Sequence, residues 1–130
     1  MLADDVADRL QTAGVGTKGV DLFKIMDPGR PDTAVIVYAT QGVAPMDAMG
    51  SRAVVVEQPT VHVLIRGATG ALAEAKANAV LRALHKFSGT INTTRYLFIR
   101  ALQSPFDVGP DEKGRPRYVV NFRAVKELTT

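Results

Sequence analysis

Two glycine-rich segments contain residue types that can bind a phosphate group. The segment 14–19 has the spacing Gly-x-Gly-x-x-Gly, which binds a dinucleotide when it follows a strand and begins a helix. Here a helical pattern precedes the segment and a strand pattern follows it, so we interpret it as a flexible connection. The segment 67–70 does join a strand pattern to a helix, but it lacks the lysine and the spacing of a phosphate-binding loop. We therefore interpret Thr69 as a helix cap and predict no nucleotide site.

The side chains that most often carry out catalysis are few. His62 and His85 have no carboxylate at helical spacing, and the three serines lie outside any nucleophile motif. The chain has no cysteine, which excludes a thiolate nucleophile and a cysteine-bound metal. The acidic residues between 107 and 112 do not have the spacing of a calcium loop. We expect no catalytic residue, no cofactor and no metal, and we predict that the protein is not an enzyme.

Charge is distributed unevenly along the chain. Residues 1–58 carry 5 basic and 8 acidic side chains, whereas residues 59–130 carry 11 basic and 5 acidic ones. The two halves can compensate each other inside one fold, or they can form a polarised surface that meets charged neighbours or nucleic acid. Four arginines could cluster on neighbouring strands, namely Arg95, Arg100, Arg117 and Arg123. The aromatic residues beside them are expected to pack under a helix, namely Tyr96, Phe98, Tyr118 and Phe122.

Hydrophobic periodicity predicts the elements that must position these side chains. The chain has 130 residues, 46% of them hydrophobic, which is enough for a single domain over 1–130. Helices are predicted over about 2–13 and 69–87, and strands over 20–26, 34–39, 60–66, 95–102 and 117–125. The first two strands are expected to form a hairpin. The predicted fold is therefore α+β, a mainly antiparallel sheet of about five strands with one long helix and a short N-terminal helix packed on it.

Two long connections remain, over 40–53 and 103–116, and connections of this length usually carry function. The longest apolar run, 34–39, is far too short to cross a bilayer, and acidic residues occupy the place of a signal peptide. We expect no membrane contact and a protein that is made and kept inside a cell.

Several segments occur in the order known from one family. They include Glu57 to Gly67, a following helix that ends in Leu-His-Lys-Phe at 84–87, Ile91 to Tyr96, Ala101 to Phe106, and Asp111 to Arg115 with Val119 to Phe122. Over about 20–128 the chain resembles the minor capsid or tail-completion proteins that act as tail terminators of long-tailed bacteriophages. This resemblance implies a structural virion protein at the tail end or neck, assembled in the host cytoplasm. It also implies a ring of about six copies that caps the tail tube, ends its polymerisation and forms the surface that joins tail to head.

The resemblance also implies partners: further copies of the chain, the tail tube protein and the connector or neck proteins between head and tail. Contacts with them are expected in the two long connections, at Gln41, Val43, Met46, Met49, Arg52, Phe106, Asp107 and Arg115. Residues facing the lumen, with weak contact to genomic DNA that is not sequence-specific, are expected at Arg82, Lys86, Arg95 and Arg100. The alternatives are a head-completion or neck connector protein and, as a third reading, a small DNA-binding module.

Overall fold

The computed structural model describes residues 2–47 and 54–129. Two helices and seven strands follow one another along the chain. In chain order they are α1 (Leu2–Thr12), β1 (Leu22–Lys24), β2 (Ala34–Asp47), β3 (Val54–Arg66), α2 (Gly70–Leu84), β4 (Phe87–Ile91), β5 (Thr94–Ala101), β6 (Phe106–Asp107) and β7 (Arg117–Thr129).

All seven strands join one mixed sheet that curves into a half-barrel. The strand order is β1-β2-β3-β7-β5-β4, and the short β6 pairs with β7 in line with β5. The first pair, β1 with β2, is parallel, and the others are antiparallel. The prediction of a five-stranded, mainly antiparallel sheet under one long helix is therefore wrong. The sheet is larger and mixed, and two of its strands lie in segments interpreted as helix end or connection.

The predicted hairpin of the first two strands is also wrong. A hairpin would make these strands antiparallel, but Leu22 pairs with Val35 and Lys24 with Val37 in parallel register. The nine residues between the strands carry the chain back to the end of the sheet where β1 begins, so that β2 starts beside Leu22. Chain reversal of this kind depends on tertiary contacts that the turn-forming residues at 27–32 do not specify.

The segment predicted as a loop over 40–53 is a strand as far as Asp47. Here β2 remains paired with β3, but its register shifts between Thr40 and Val43 and again between Val43 and Met46. Such irregularities disturb the two-residue alternation by which a strand is identified in a sequence. The rest of the predicted loop, 48–53, lies outside the described residues.

The long helix begins as predicted and ends earlier. Thr69 is confirmed as the N-cap, since its hydroxyl accepts a hydrogen bond from the Leu72 backbone N–H at 3.2 Å. The last helical residue is Leu84, not Phe87, and Lys86 has a left-handed φ of 65° that turns the chain into β4. Phe87 therefore packs against the core from a strand.

The core lies between the sheet and the two helices. From the sheet it receives Val35, Val37, Val61, Val63, Ile65, Tyr96, Ile99, Val120 and Phe122, and from the helices Val6, Leu10, Ala77, Val80 and Leu84. Both helices thus cover one face of the sheet, and we call the other the helix-free face. Neither helix of the described ranges has the length and apolar character that a bilayer crossing requires.

Candidate assembly surface

On the helix-free face, a row of side chains runs along β5 and β6, beside β7. On β7, Val120, Phe122 and Ala124 point into the core, so Val119, Asn121, Arg123 and Val125 belong to the opposite face. Their neighbours across the strands share that face. These neighbours are Phe98 beside Val125, Arg100 beside Arg123, Leu102 beside Asn121, Phe106 beside Val119 and Val108 beside Arg117.

The four apolar members of this set, Phe98, Leu102, Phe106 and Val108, form what we call the apolar row. Their exposed fractions are 40%, 45%, 42% and 38%. Single exposed apolar residues are common on protein surfaces, but several large ones on one face are typical of an interaction site, here with Arg100 between Phe98 and Leu102. The apolar row is therefore a candidate surface for association with another protein.

A β-bulge determines that Phe98 belongs to this row. The register of β5 against β7 shifts between Tyr96 and Phe98. Without the shift, both aromatic rings would lie on the same face, because they are two residues apart in a strand. Instead Tyr96 is buried in the core and Phe98 is exposed, so the prediction that Phe98 packs under the helix is wrong.

Two arginines lie directly opposite each other within the helix-free face. Arg100 pairs in register with Arg123, and the Arg100 guanidinium lies 5.9 Å from the centre of the Phe98 ring. Like charges directly opposite each other on neighbouring strands destabilise a sheet. Neither arginine forms an ion pair within the described part of the chain, and the buried Nε of Arg123 has no hydrogen-bond partner there. This arginine pair is a local excess of positive charge.

The buried Arg66 side chain holds the turn at 27–32 against the end of β3. At the end of β3, Arg66 is 1% exposed and donates hydrogen bonds to Asp27 Oδ2 at 2.6 Å and to the Pro31 carbonyl at 2.7 Å. Burial acts to raise the pKa of Asp27, but the hydrogen bonds from Arg66 and from the Gly29 N–H outweigh it and hold this pKa below its usual value.

Arg115 ties the same turn to the 103–116 connection. Its guanidinium donates to Asp111 Oδ2 at 2.8 Å, to the Gly29 carbonyl at 2.8 Å and to Asp32 Oδ1 at 3.2 Å. Although burial opposes the shift, hydrogen bonds from Arg115 and the Lys113 N–H lower the pKa of Asp111 to about 2. The hydrogen bond to Asp111 is in turn the main cause that raises the pKa of Arg115. These contacts hold the connection in place next to β7.

The residues predicted to contact assembly partners lie in different surroundings. Gln41, Val43 and Met46 belong to β2, where Val43 pairs with Gln58 and Met46 with Val56. Met49 and Arg52 lie outside the described residues. Phe106 is part of the apolar row, Asp107 is exposed and accepts a hydrogen bond from the Gly109 N–H at 2.7 Å, and Arg115 is buried in its ion pairs.

The structure does not bring the four predicted lumen residues together. Arg82 is exposed on α2, on the helix side of the sheet, whereas Arg100 lies on the helix-free face. Lys86 is exposed between α2 and β4, and the exposed Arg95 lies 3.5 Å from Glu127. Of the four arginines expected to cluster, Arg100 and Arg123 lie opposite each other, whereas Arg95 lies by Glu127 and Arg117 donates to the Gly109 and Pro110 carbonyls. The sequence did not indicate the exposed apolar neighbours of the Arg100 and Arg123 pair, since a bulge and a short strand set that arrangement.

Both histidines make hydrogen bonds, one with a side chain and the other with the backbone. His62 Nδ1 lies 2.8 Å from Asn121 Oδ1, and His85 Nδ1 accepts from the Ala101 N–H at 3.0 Å. In residues 2–47 and 54–129, no three histidine or acidic side chains lie close enough together to hold a metal ion.

Comparisons with known proteins identify the family of the chain. A family model described as bacteriophage tail terminator protein matches residues 9–128. Among solved structures, the virion of a native gene transfer agent particle contains a chain with a TM-score of 0.69 and 23% identity, covering 98% of this chain and 95% of that one. Another solved chain has a TM-score of 0.55 and 13% identity, covering 99% and 95%.

These two structures show a shared fold. The comparison with curated proteins gives no match. The family model, however, spans nearly the whole chain. The chain therefore belongs to the bacteriophage tail terminator protein family and is a structural, tail-associated protein of a virion.

Proposed function

We propose that this protein, acting without enzymatic activity, ends the growth of a tail tube by forming a ring on its end, and that the outer side of the ring joins the tail to the head. The observation that carries the ring is the apolar row, four exposed large side chains on a sheet face that neither helix covers. Burial of such a row against another copy removes apolar surface from water.

The proposed ring consists of about six copies. A domain of this length has a radius of gyration of about 14 Å, equivalent to a sphere roughly 36 Å across. Six such spheres in a ring leave an opening of roughly 36 Å, which loops can narrow while duplex DNA still passes, whereas three leave only about 6 Å. The arithmetic supports six over three.

We assign the tube contact to the extended end of β2 and β3. Residues 43–47 continue as a strand beyond the part of β2 that pairs with β1, and they are held by β3, which is itself paired with β7. A paired strand presents residues to a partner more rigidly than a free loop does. Gln41, Val43 and Met46 lie on this strand and are the proposed contact residues, with Met49 and Arg52 following them in the chain.

The test is the mass of the purified protein across concentration, with and without polymerised tail tubes, followed by electron microscopy of the mixture. We expect rings, or copies that cap the tube ends and stop elongation. Replacement of Phe98 and Leu102 by serine should weaken assembly at least about tenfold, since each loses an interface anchor. The control is Val20→Ser, which changes an exposed apolar residue outside the row. Tubes that keep growing in the presence of the parent protein would contradict the proposal.

The same purified protein and tail tubes distinguish two other functions. A head-completion or neck connector protein would associate with the portal side and ignore isolated tubes. A small DNA-binding module is favoured by the arginine pair on the helix-free face, and it would retain duplex DNA with a steep salt dependence. Within the proposed ring, weak DNA contact of Arg82, Lys86 and Arg95 remains part of the hypothesis, whereas Arg100 leaves this set because it lies beside the apolar row, opposite Arg123.

A further inference from the structure

The arginine pair and the apolar row require a partner with a specific chemistry. Arg100 and Arg123 face each other without a carboxylate in the described part of the chain, and Phe98 and Leu102 lie exposed beside them. DNA interfaces are polar and strongly basic, whereas arginine among exposed aromatic and aliphatic side chains is typical of protein interfaces. The fitting partner is a protein surface with a carboxylate next to apolar groups.

One surface of this same chain has that chemistry. The core-facing side of α2 is formed by Ala73, Ala77, Val80 and Leu84, and its opposite side begins with exposed residues. We call the exposed Ala71, Glu74 and Ala75 the outer face of α2. Ala71 and Ala75 present small apolar groups beside Glu74, which has no ion pair or hydrogen bond within residues 2–47 and 54–129.

We propose that the outer face of α2 of one copy packs against the apolar row of the next, with Glu74 accepting hydrogen bonds from Arg100 and Arg123. This inference rests on the proposed ring and names the two surfaces that form it. Arginine binds a carboxylate through two parallel N–H groups, which adds directionality to the apolar contact. The pairing neutralises a charge excess that the isolated chain leaves uncompensated.

A head-to-tail contact fits these surfaces better than a two-fold dimer. If two apolar rows packed on each other, the arginine pairs of both copies would approach, and like charges would repel. Asp107 cannot relieve this, because it alternates with Phe106 and therefore points to the other face of the sheet. A contact between two different surfaces closes into a ring when the rotation between copies allows it.

Charge reversal tests the contact directly. We expect Glu74→Arg and Arg100→Glu each to weaken ring formation and tube capping at least about tenfold, because each places like charges together across the interface. The double variant restores the opposite charges and should recover most of the assembly. Glu112→Arg is the matched control, an exposed acidic residue with no ion pair in the described chain, and it should stay within about twofold of the parent.

Folding is monitored separately for each variant. Neither Glu74 nor Arg100 forms an ion pair in the described part of the isolated chain, so the monomers should unfold near the parent temperature. Arg100→Glu should even raise it slightly, because the new carboxylate lies opposite Arg123. A structural role of Arg100 would instead lower the temperature.

The outcomes separate this contact from the proposed function. Single reversals that leave assembly intact, or a double variant that stays as weak as the singles, would overturn the contact while tube capping by the parent still stands. Arg100→Glu that lowers only the retention of duplex DNA would overturn it in favour of a nucleic-acid surface. A parent protein that neither oligomerises nor caps tubes would overturn the proposed function, and the contact with it.

Discussion

A buried carboxylate joins the N-terminal helix to the sheet. Asp5 on α1 is 2% exposed, and it accepts hydrogen bonds from the Tyr96 hydroxyl at 2.6 Å and from the Asn92 side chain at 3.1 Å. Burial, followed by the nearby Asp5 carboxylate, raises the pKa of Tyr96, so the phenol keeps its proton and remains a donor. A buried acid is tolerated because these donors satisfy it.

Tyr96→Phe should lower the free energy of unfolding by about 1–3 kcal/mol, because Asp5 stays buried and loses a donor. Urea unfolding followed by circular dichroism measures the change. Tyr118→Phe is the control: Tyr118 also packs against the core, but its hydroxyl has no hydrogen-bond partner in the described chain. Equal losses for both variants would show that the hydroxyl contact to Asp5 contributes little.

The end of β3 and the start of α2 meet at a glycine. A Cβ atom at Gly67 would lie 2.4 Å from the Ala73 backbone nitrogen and 2.7 Å from its Cα. No rotation of a side chain can relieve contacts with backbone, so the helix approaches the sheet this closely only because residue 67 has no side chain. The glycine therefore sets the position of α2, including its outer face.

Gly67→Ala should destabilise the protein by about 1–3 kcal/mol and shift α2 outward. Thermal unfolding measures the loss, and weaker tube capping would report the displaced helix. Gly70→Ala is the matched control, because an added Cβ at the first residue of α2 has no atom within 4 Å. Unfolding temperatures that agree for the two variants would contradict the tight approach.

At the scale of the whole molecule, ion pairs within the fold neutralise part of the charge difference between the two halves of the chain. Asp27 and Asp32 from the acidic half pair with Arg66 and Arg115 from the basic half. Other acidic residues pair within their own half, since Asp4 binds Lys24 and Asp8 binds Lys18. Both interpretations of the charge pattern therefore apply in part. Some charges are compensated inside the fold, and an excess of positive charge remains at the surface where Arg100 and Arg123 pair.

The ion pairs of Asp27 and Asp111 predict that acid destabilises the folded protein. The pKa values of Asp27 and Asp111 are lower in the folded than in the unfolded chain, that of Asp111 being about 2. The two carboxylates contribute fully to the free energy of unfolding at a pH above their pKa in the unfolded chain. This contribution is lost as the pH falls through their pKa in the folded chain. The free energy of unfolding should therefore fall between about pH 4 and about pH 2.

Urea titrations at several pH values measure this slope. Asp27→Asn and Asp111→Asn should lower the stability at neutral pH and flatten the decline in acid, because the group that takes up the proton is gone. Glu112→Gln removes a neighbouring charge that has no ion pair in the described chain and serves as the control. Parallel curves for the parent and both asparagine variants would contradict the assigned role of the two aspartates.

The sequence by itself determined the features that depend on neighbours along the chain. The alternation of Val61, Val63 and Ile65 identifies a half-buried strand, and the cap at Thr69 marks the start of α2. The order of its segments also identifies the family, over nearly the range that the family model matches.

Tertiary structure alone decided which strands meet and which faces they present. The parallel pairing of β1, the continuation of β2 to Asp47 and the burial of Arg66 depend on partners far away in the sequence. The same holds for Phe98, which a single bulge moves from the expected core to the candidate assembly surface. Side-chain periodicity reports only that a segment has two faces, whereas the register with distant strands determines which of them is covered.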